Sequence, residues 1–343
     1  MINEIAPDHP FGISHSSCQP PNRRASFSVS FESMKALLLL LSALALPAAD
    51  LRIGIVGTDT SHVPAFTKLF NDASDPGHLA GARVVAAYPG GSDDIESSAT
   101  RVKKFAAEIH DKYGVEIVDS IPELCKRVDV VLLESVDGRK HLEQARPVIA
   151  AGKPFFVDKP LASTLADARE IARLAAQAGV PWFSSSSLRY GPLAELKSPD
   201  ASGYDVWAPS PYDPHHQLDL SWYGIHGVEL LYALMGPGCV EVTRIASDAS
   251  DVIVGRWKDG RLGTVRGLRP YGNYGVVVYK ATKSAANDPN IADVDYRPLV
   301  VKILEFFKSG TSPVPNAETL ELFAFMDAAQ RSKDAAGAPT KLR

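Results

Sequence analysis

The sequence predicts an α/β protein: a doubly wound parallel sheet over residues 50–186, then an α+β part with a largely antiparallel open sheet over residues 187–335. Three observations carry that expectation. Short apolar runs rich in β-branched residues alternate with helical periodicities from Leu51 to Phe183, the order that builds parallel β-α-β units. Beyond residue 186 the alternation stops, and Val252–Trp257, Gly263–Arg266 and Gly275–Tyr279 read as strands divided by polar turns. A chain of 343 residues is long enough for two such cores.

Each element has a local reason. Leu51-Arg-Ile-Gly-Ile-Val-Gly57 is a buried strand ending in glycine, and Val63–Asn71 follows with Val63, Phe66 and Phe70 at helical spacing. Gly81–Tyr88 is a second strand, closed by Pro89-Gly90-Gly91, and Ala99–Tyr113 is a helix carrying Val102, Phe105, Ala106 and Ile109 on one face. Val115–Val118 reads as a short strand, Ile121–Lys126 as a short helix and Val128–Leu133 as a strand buried on both faces. The helices His141–Ala150 and Leu165–Ala178 stop at Gly152 and Gly179, and the strands Pro154–Val157 and Val180–Phe183 follow them. In the second part, His226–Met235 is a helix closed by Gly236-Pro237-Gly238, and Lys258-Asp259-Gly260 marks a hairpin turn. Leu299–Lys308 and Ala317–Arg331 are the final helices.

The first 49 residues read as a disordered leader plus a signal peptide. Residues 1–33 are polar and aperiodic; Met34-Lys35 then precedes the apolar run Ala36–Leu46 and the small residues Pro47-Ala48-Ala49. The run is too short to span a bilayer, so no stable membrane span is expected after signal removal. An exported, periplasmic or secreted protein follows if the signal is used, and a cytoplasmic one otherwise. Met34 also serves as an alternative start, and Arg23-Arg24 offers a weaker twin-arginine reading.

Composition narrows the function. A content of 45% hydrophobic and 22% charged residues fits a protein with a large core. A net charge of -4 gives no reason to expect nucleic acid. Cys18, Cys125 and Cys239 are far apart, which supports neither a disulfide framework nor a cysteine zinc site.

The turn after the first strand is where a pyrophosphate would lie, because a helix N-terminus offers free N–H groups and partial positive charge. Gly57 takes the first position of a Rossmann-type G-x-G-x-x-G turn, with Asp59 and His62 at the second and third. A carboxylate at the second position should repel a pyrophosphate; Thr58, Thr60 and Ser61 supply hydroxyls, and His62 a cation, in compensation. The same turn also reads as an ordinary helix cap by Asp59 or Thr60. Tyr88 and Ser92 stand where a ribose-binding carboxylate usually ends the second strand, so NAD and NADP both stay open.

More specific segments follow. Glu134-Ser-Val-Asp-Gly-Arg-Lys-His141 and Ala150-Ala-Gly-Lys-Pro-Phe-Phe-Val-Asp-Lys-Pro-Leu-Ala162 resemble the Gfo/Idh/MocA oxidoreductases, which carry Thr-Pro-x-x-x-x-His, Ala-Gly-Lys and Glu-Lys-Pro-Leu-Ala. Arg189 with Pro192, and His226, Glu229 and Gly236, extend the resemblance, which covers roughly residues 51–335. It implies a nicotinamide cofactor, NAD or NADP, contacted by Ser135, His141, Asp158, Lys159 and Pro160 as well as by the glycine turn. It implies a sugar, polyol or similar carbonyl compound between the two parts, and dimers or tetramers formed through the open sheet. Lys159 and His226 would exchange the hydroxyl proton with substrate. The family's aspartate four residues before the histidine is Trp222 here, so Tyr223 and Asp219 are substitute candidates.

Arg189, His215, His216, Asp219 and Trp222 are the expected substrate contacts, with Trp207 and Tyr212 crowding the same region. The irregular spacing of Asp213, His215, His216 and Asp219 reads as a polar substrate loop, and no metal site is expected. Two other functions compete with a dehydrogenase: a redox-neutral lyase or a sugar-binding protein that kept the fold, and a metal-dependent hydrolase using His215, His216 and His226.

Overall fold

A computed structural model of the protein describes residues 49–280, 284–286 and 294–343. Residues 1–48 of the expected leader, with the apolar run and Cys18, lie outside the described residues. Among the described residues no helix is long and apolar enough to cross a membrane.

The first sheet has six parallel strands in the order β3-β2-β1-β4-β5-β6. They are β1 (Leu51–Val56), β2 (Ala82–Tyr88), β3 (Glu116–Ile117), β4 (Val130–Leu133), β5 (Phe155–Asp158) and β6 (Trp182–Ser185). The helices between them are α1 (His62–Asn71), α2 (Glu96–Ala99), α3 (Val102–Tyr113), α4 (Ile121–Arg127), α5 (His141–Ala150) and α6 (Leu165–Ala178). The strand order reverses between β1 and β4, which creates a crevice at the carboxyl ends of those strands. The single helix expected over Ala99–Tyr113 is broken at Thr100-Arg101, and the strand expected over Val115–Val118 shrinks to two residues.

Alternation along the strands sorts the core into two layers. Ile53, Ile55, Val84, Leu132, Phe156 and Phe183 face one side, where Phe66 and Phe70 of α1 meet them. Val56, Val131, Leu133, Phe155 and Val157 face the other, under α4, α5 and α6. Truncating a fully buried ring such as Phe156 to alanine should cost about 3–5 kcal/mol. Local signals set the helix ends. Ser120 caps α4 by accepting the Glu123 N–H, Thr164 caps α6 by accepting the Asp167 N–H at 3.0 Å, and Gly179 ends α6 with φ of 65°.

The second sheet has seven strands in the order β12-β11-β7-β10-β9-β8-β13. They are β7 (Ala201–Pro209), β8 (Cys239–Ala246), β9 (Ser250–Trp257), β10 (Leu262–Leu268), β11 (Gly275–Lys280), β12 (Ser284–Ala286) and β13 (Thr340–Lys341). It is antiparallel except where β7 runs parallel to β10. Helix α7 (Ile225–Met235) packs on β7 and β10. Helix α8 (Arg297–Ser309) returns to the first sheet, placing Leu299, Ile303 and Phe306 in the layer with Phe66 and Phe183. Helix α9 (Asn316–Asp334) packs against β8 and α6, so it ties the two sheets together.

Candidate functional site

A cleft of 590 Å³ opens at the carboxyl edge of the first sheet, and Lys159, Trp222, Tyr223, His226 and Thr60 through His62 all line it. Each arrives there from an element end. Lys159 follows the last residue of β5, and the Lys159–Pro160 peptide is cis. Thr60, Ser61 and His62 form the start of α1, while Tyr223 and His226 stand at the start of α7. The Lys159 Nζ sits 6.0 Å from the centre of the Tyr223 ring, within cation–π range.

His226 keeps one edge open to the cleft. Its Nδ1 lies 2.8 Å from Ser186 Oγ. Desolvation, reinforced by neighbouring Lys159 and His62, pushes its pKa well below the ordinary histidine value, so the ring is neutral at physiological pH.

Beneath the cleft lies a cluster of buried ionisable groups. His62 Nδ1 is 2.7 Å from Asp158 Oδ2, and Asp158 Oδ1 accepts the Lys159 N–H at 2.8 Å. Burial alone would raise the Asp158 carboxyl, but His62 and Lys159 outweigh it and hold the group at about 2. Glu134, at the end of β4, is fully buried, and neither of its carboxylate oxygens has a hydrogen-bond partner among the described residues. Burial and the nearby Asp158 push its carboxyl well upward.

Two expected contacts serve the loops instead. Both nitrogens of His141 are occupied, by Pro160 O and Ser135 O at 2.8 Å each, so this residue braces the loops that follow β4 and β5. Ser135 Oγ accepts from Gln144. Gly57 has φ of +89°, and an added Cβ would lie 2.5 Å from the Ser135 nitrogen, which explains a glycine there.

Expected contacts at six residues are corrected. Asp59 is not a ligand contact in this conformation: it is fully buried, and its oxygens accept the Val136 N–H at 3.0 Å and the Ser98 hydroxyl at 2.6 Å. Arg189 does not reach substrate, because its guanidinium is buried between Glu229 at 2.7 Å and Glu318 at 2.6 Å. Asp219 neither substitutes for the missing aspartate nor faces the cleft, since its Oδ2 pairs with Arg244 and Lys333. His215 and His216 are drawn away by carboxylates, with His216 lying between Asp213 at 3.2 Å and Asp137 at 3.3 Å. Asp137 also accepts Ser92 Oγ at 2.5 Å and pairs with Arg139, so Ser92 is engaged as well.

The sequence reading missed Tyr271, Tyr274 and Tyr296, which complete an aromatic lining around Tyr223 and His226. Tyr271 and Tyr274 lie in a turn with no periodic signal. It also missed Glu134, although an acid closing the apolar run Val130–Leu133 was a visible anomaly.

The donors present fit a dinucleotide at two ends. A second cleft, of 530 Å³, is lined by Tyr88, Gly90, Gly91, Ser120 and Gln144 beside β2, on the adenosine side of such a fold. Thr60 and Ser61 offer backbone N–H groups that no atom among the described residues accepts. Asp59 and Ser98 stand between the two clefts, and they are the departure from the usual open turn.

Residues 51–185 match the oxidoreductase family with an NAD-binding Rossmann fold, Gfo/Idh/MocA. Residues 51–185 are therefore of the NAD-binding Rossmann class and are similar to the corresponding part of the Gfo/Idh/MocA oxidoreductases. An inositol 2-dehydrogenase of Cereibacter sphaeroides is 34% identical over 124 residues, covering 35% of this chain and 31% of that protein. A 1,5-anhydro-D-fructose reductase of Ensifer adhaerens is 34% identical over 100 residues, covering 29% of this chain and 30% of that protein. The match thus spans about a third of the length of these curated relatives. Among solved structures, a myo-inositol dehydrogenase of Lactobacillus casei in complex with NAD(H) and myo-inositol is similar, with a TM-score of 0.65, 15% identity, and cover of 86% of this chain and 97% of that one. A myo-inositol 2-dehydrogenase of Lactobacillus plantarum has a TM-score of 0.67 at 14% identity, covering 86% and 100%. At such identities the structures show the fold.

Proposed function

We propose that the protein is an NAD(P)-dependent oxidoreductase acting on a sugar, polyol or related carbonyl compound, with Lys159 and His226 moving the substrate proton. The observation that carries this reading is the convergence of Lys159, His226 and Tyr223 on one cleft at the carboxyl edge of the parallel sheet. Gly57, Thr60, Ser61 and Tyr88 are the residues that would hold the dinucleotide, whose nicotinamide supplies or accepts hydride when bound. The rest of the chemistry falls to this chain. A carbon–oxygen centre that changes oxidation state must gain or lose a hydroxyl proton, and Lys159 Nζ stands at the cleft wall to exchange it. The neutral His226 accepts a proton that Lys159, once loaded, cannot. Tyr223, Trp222 and Tyr271 offer flat apolar faces to a ring bearing axial C–H groups.

The test is spectrophotometric. Purified protein is given inositols and anhydro sugars with NAD or NADP, and nicotinamide reduction is followed near 340 nm. Lys159→Ala should fold normally and lose turnover; unchanged turnover would place the chemistry elsewhere. The buried Asp59 carboxylate favours a second reading, in which the fold binds sugar or performs redox-neutral chemistry without exchanging its nucleotide. Mass spectrometry for copurifying nucleotide separates the two.

A further inference from the structure

We infer that His62, Glu134 and Asp158 form a binding site for one divalent transition-metal ion, at the switch point of the parallel sheet. One ligand atom from each lies within 4.8 Å of the others, and all three residues are buried. They come from three separate elements: the start of α1, the end of β4 and the end of β5. The cluster is therefore built by the sheet topology and not by one acidic stretch.

Glu134 is the decisive residue. It is 0% exposed, and both its oxygens lack any hydrogen-bond partner among the described residues. An ionised carboxylate cannot stay in such a place unpaired, and a protonated one would still have to place its hydroxyl. A bound ion resolves both cases. The donor set of one imidazole nitrogen and two carboxylate oxygens suits zinc, manganese, cobalt or ferrous iron rather than copper(I), which prefers sulfur. Such ions take nitrogen and oxygen donors at about 2.0–2.2 Å, so three atoms within 4.8 Å of one another can share one centre after side-chain shifts that draw them inward. His62 Nδ1 and Asp158 Oδ2, now 2.7 Å apart, would separate slightly as the ion enters.

The surroundings hold the ligands in place, as outer partners do in metal sites. The His62 ring stacks on Phe66 with centroids 5.2 Å apart and meets the Tyr296 edge at 4.5 Å. The free oxygen of Asp158 is fixed by the Lys159 N–H. His62 also lines the cleft, so solvent and small ions have a path to the cluster. The reading stands apart from the proposed oxidoreductase activity and needs no turnover to test.

The full chain is stripped with chelator and titrated separately with zinc, manganese and cobalt(II) by calorimetry, with bound metal counted by mass spectrometry. One equivalent of at least one ion is expected, with cobalt(II) giving a visible d–d band. Glu134→Gln and Asp158→Asn should each weaken that ion at least about tenfold, while the double variant His215→Ala/His216→Ala keeps it. Circular dichroism on each variant checks folding, and the wild-type melting temperature should rise with the ion. Absence of stoichiometric binding by the wild type overturns the assignment, and so does binding that survives in folded Glu134→Gln and Asp158→Asn proteins.

Discussion

Ser186 Oγ sits 2.8 Å from His226 Nδ1 and also accepts the Leu188 N–H at 3.2 Å. With its second lone pair the same oxygen can accept the Nδ1–H of the ring, so Nε2 keeps the lone pair with which the neutral ring takes up a proton. Ser186 is a positioning residue: it selects the tautomer of a neutral histidine. Ser186→Ala should lower kcat about tenfold, the weight of one hydrogen bond of about 1–1.5 kcal/mol, with KM nearly unchanged. Ser186→Thr, which keeps the hydroxyl, should restore most of the loss. A KM effect with normal kcat would show that the serine serves binding instead.

The neutrality of His226 has a consequence for stability. Its folded pKa lies well below the ordinary 6.5, through desolvation first and Lys159 second. Below pH 6.5 the unfolded chain takes up a proton that the folded chain refuses, so this stability is present above the unfolded value and is lost as pH falls. Urea unfolding of wild type and His226→Gln between about pH 7.5 and about pH 5 reads the effect. The wild type should lose more stability on acidification than the variant; parallel profiles would mean a solvated imidazole.

Arg189 offers the sharpest contrast between sequence and structure. As a residue just past the last strand it read as a substrate contact, yet it bridges Glu229 of α7 and Glu318 of α9 inside the protein. Arg189→Met leaves two buried carboxylates facing each other and should cost about 3–5 kcal/mol in urea unfolding. A variant of normal stability with a raised KM would return the residue to the substrate.

These cases show what the sequence made legible. Lys159 and the parallel sheet could be read because both depend on local facts: an apolar run such as Phe155–Val157 has to be buried, and the residue after it emerges at the sheet edge. The positions of His226 and Tyr223 followed from one helix start. Arg189, Asp219 and His216 could not be assigned in the same way, because their partners Glu318, Arg244 and Asp137 lie far away in the chain. Strand β7 escaped notice because Ala201-Ser-Gly-Tyr-Asp-Val-Trp207 mixes small and polar residues with no run of apolar ones. Its place between β10 and β11, which buries Tyr204 and Val206, supplies the order that the segment lacks by itself.

Asp59 carries the last prediction. It occupies the position where a glycine normally lets a pyrophosphate approach, and it ties Ser98 and Val136 together there. Burial raises its pKa and exceeds the opposing effects of those two hydrogen bonds, so its charge is lost more readily on acidification than that of an exposed aspartate. A pyrophosphate close to this turn meets less repulsion once the carboxyl is protonated. NAD binding, measured by calorimetry, should therefore tighten as pH falls toward the raised value. Asp59→Asn keeps an acceptor for Val136 and removes the charge, so it should bind NAD at neutral pH about tenfold more tightly or better, since unit charges ~6 Å apart interact by ~2–3 kcal/mol at an effective dielectric of about 20. The variant should also lose the pH dependence. Equal affinities for the two proteins across the range would mean that the nucleotide, where it binds, does not pass this turn.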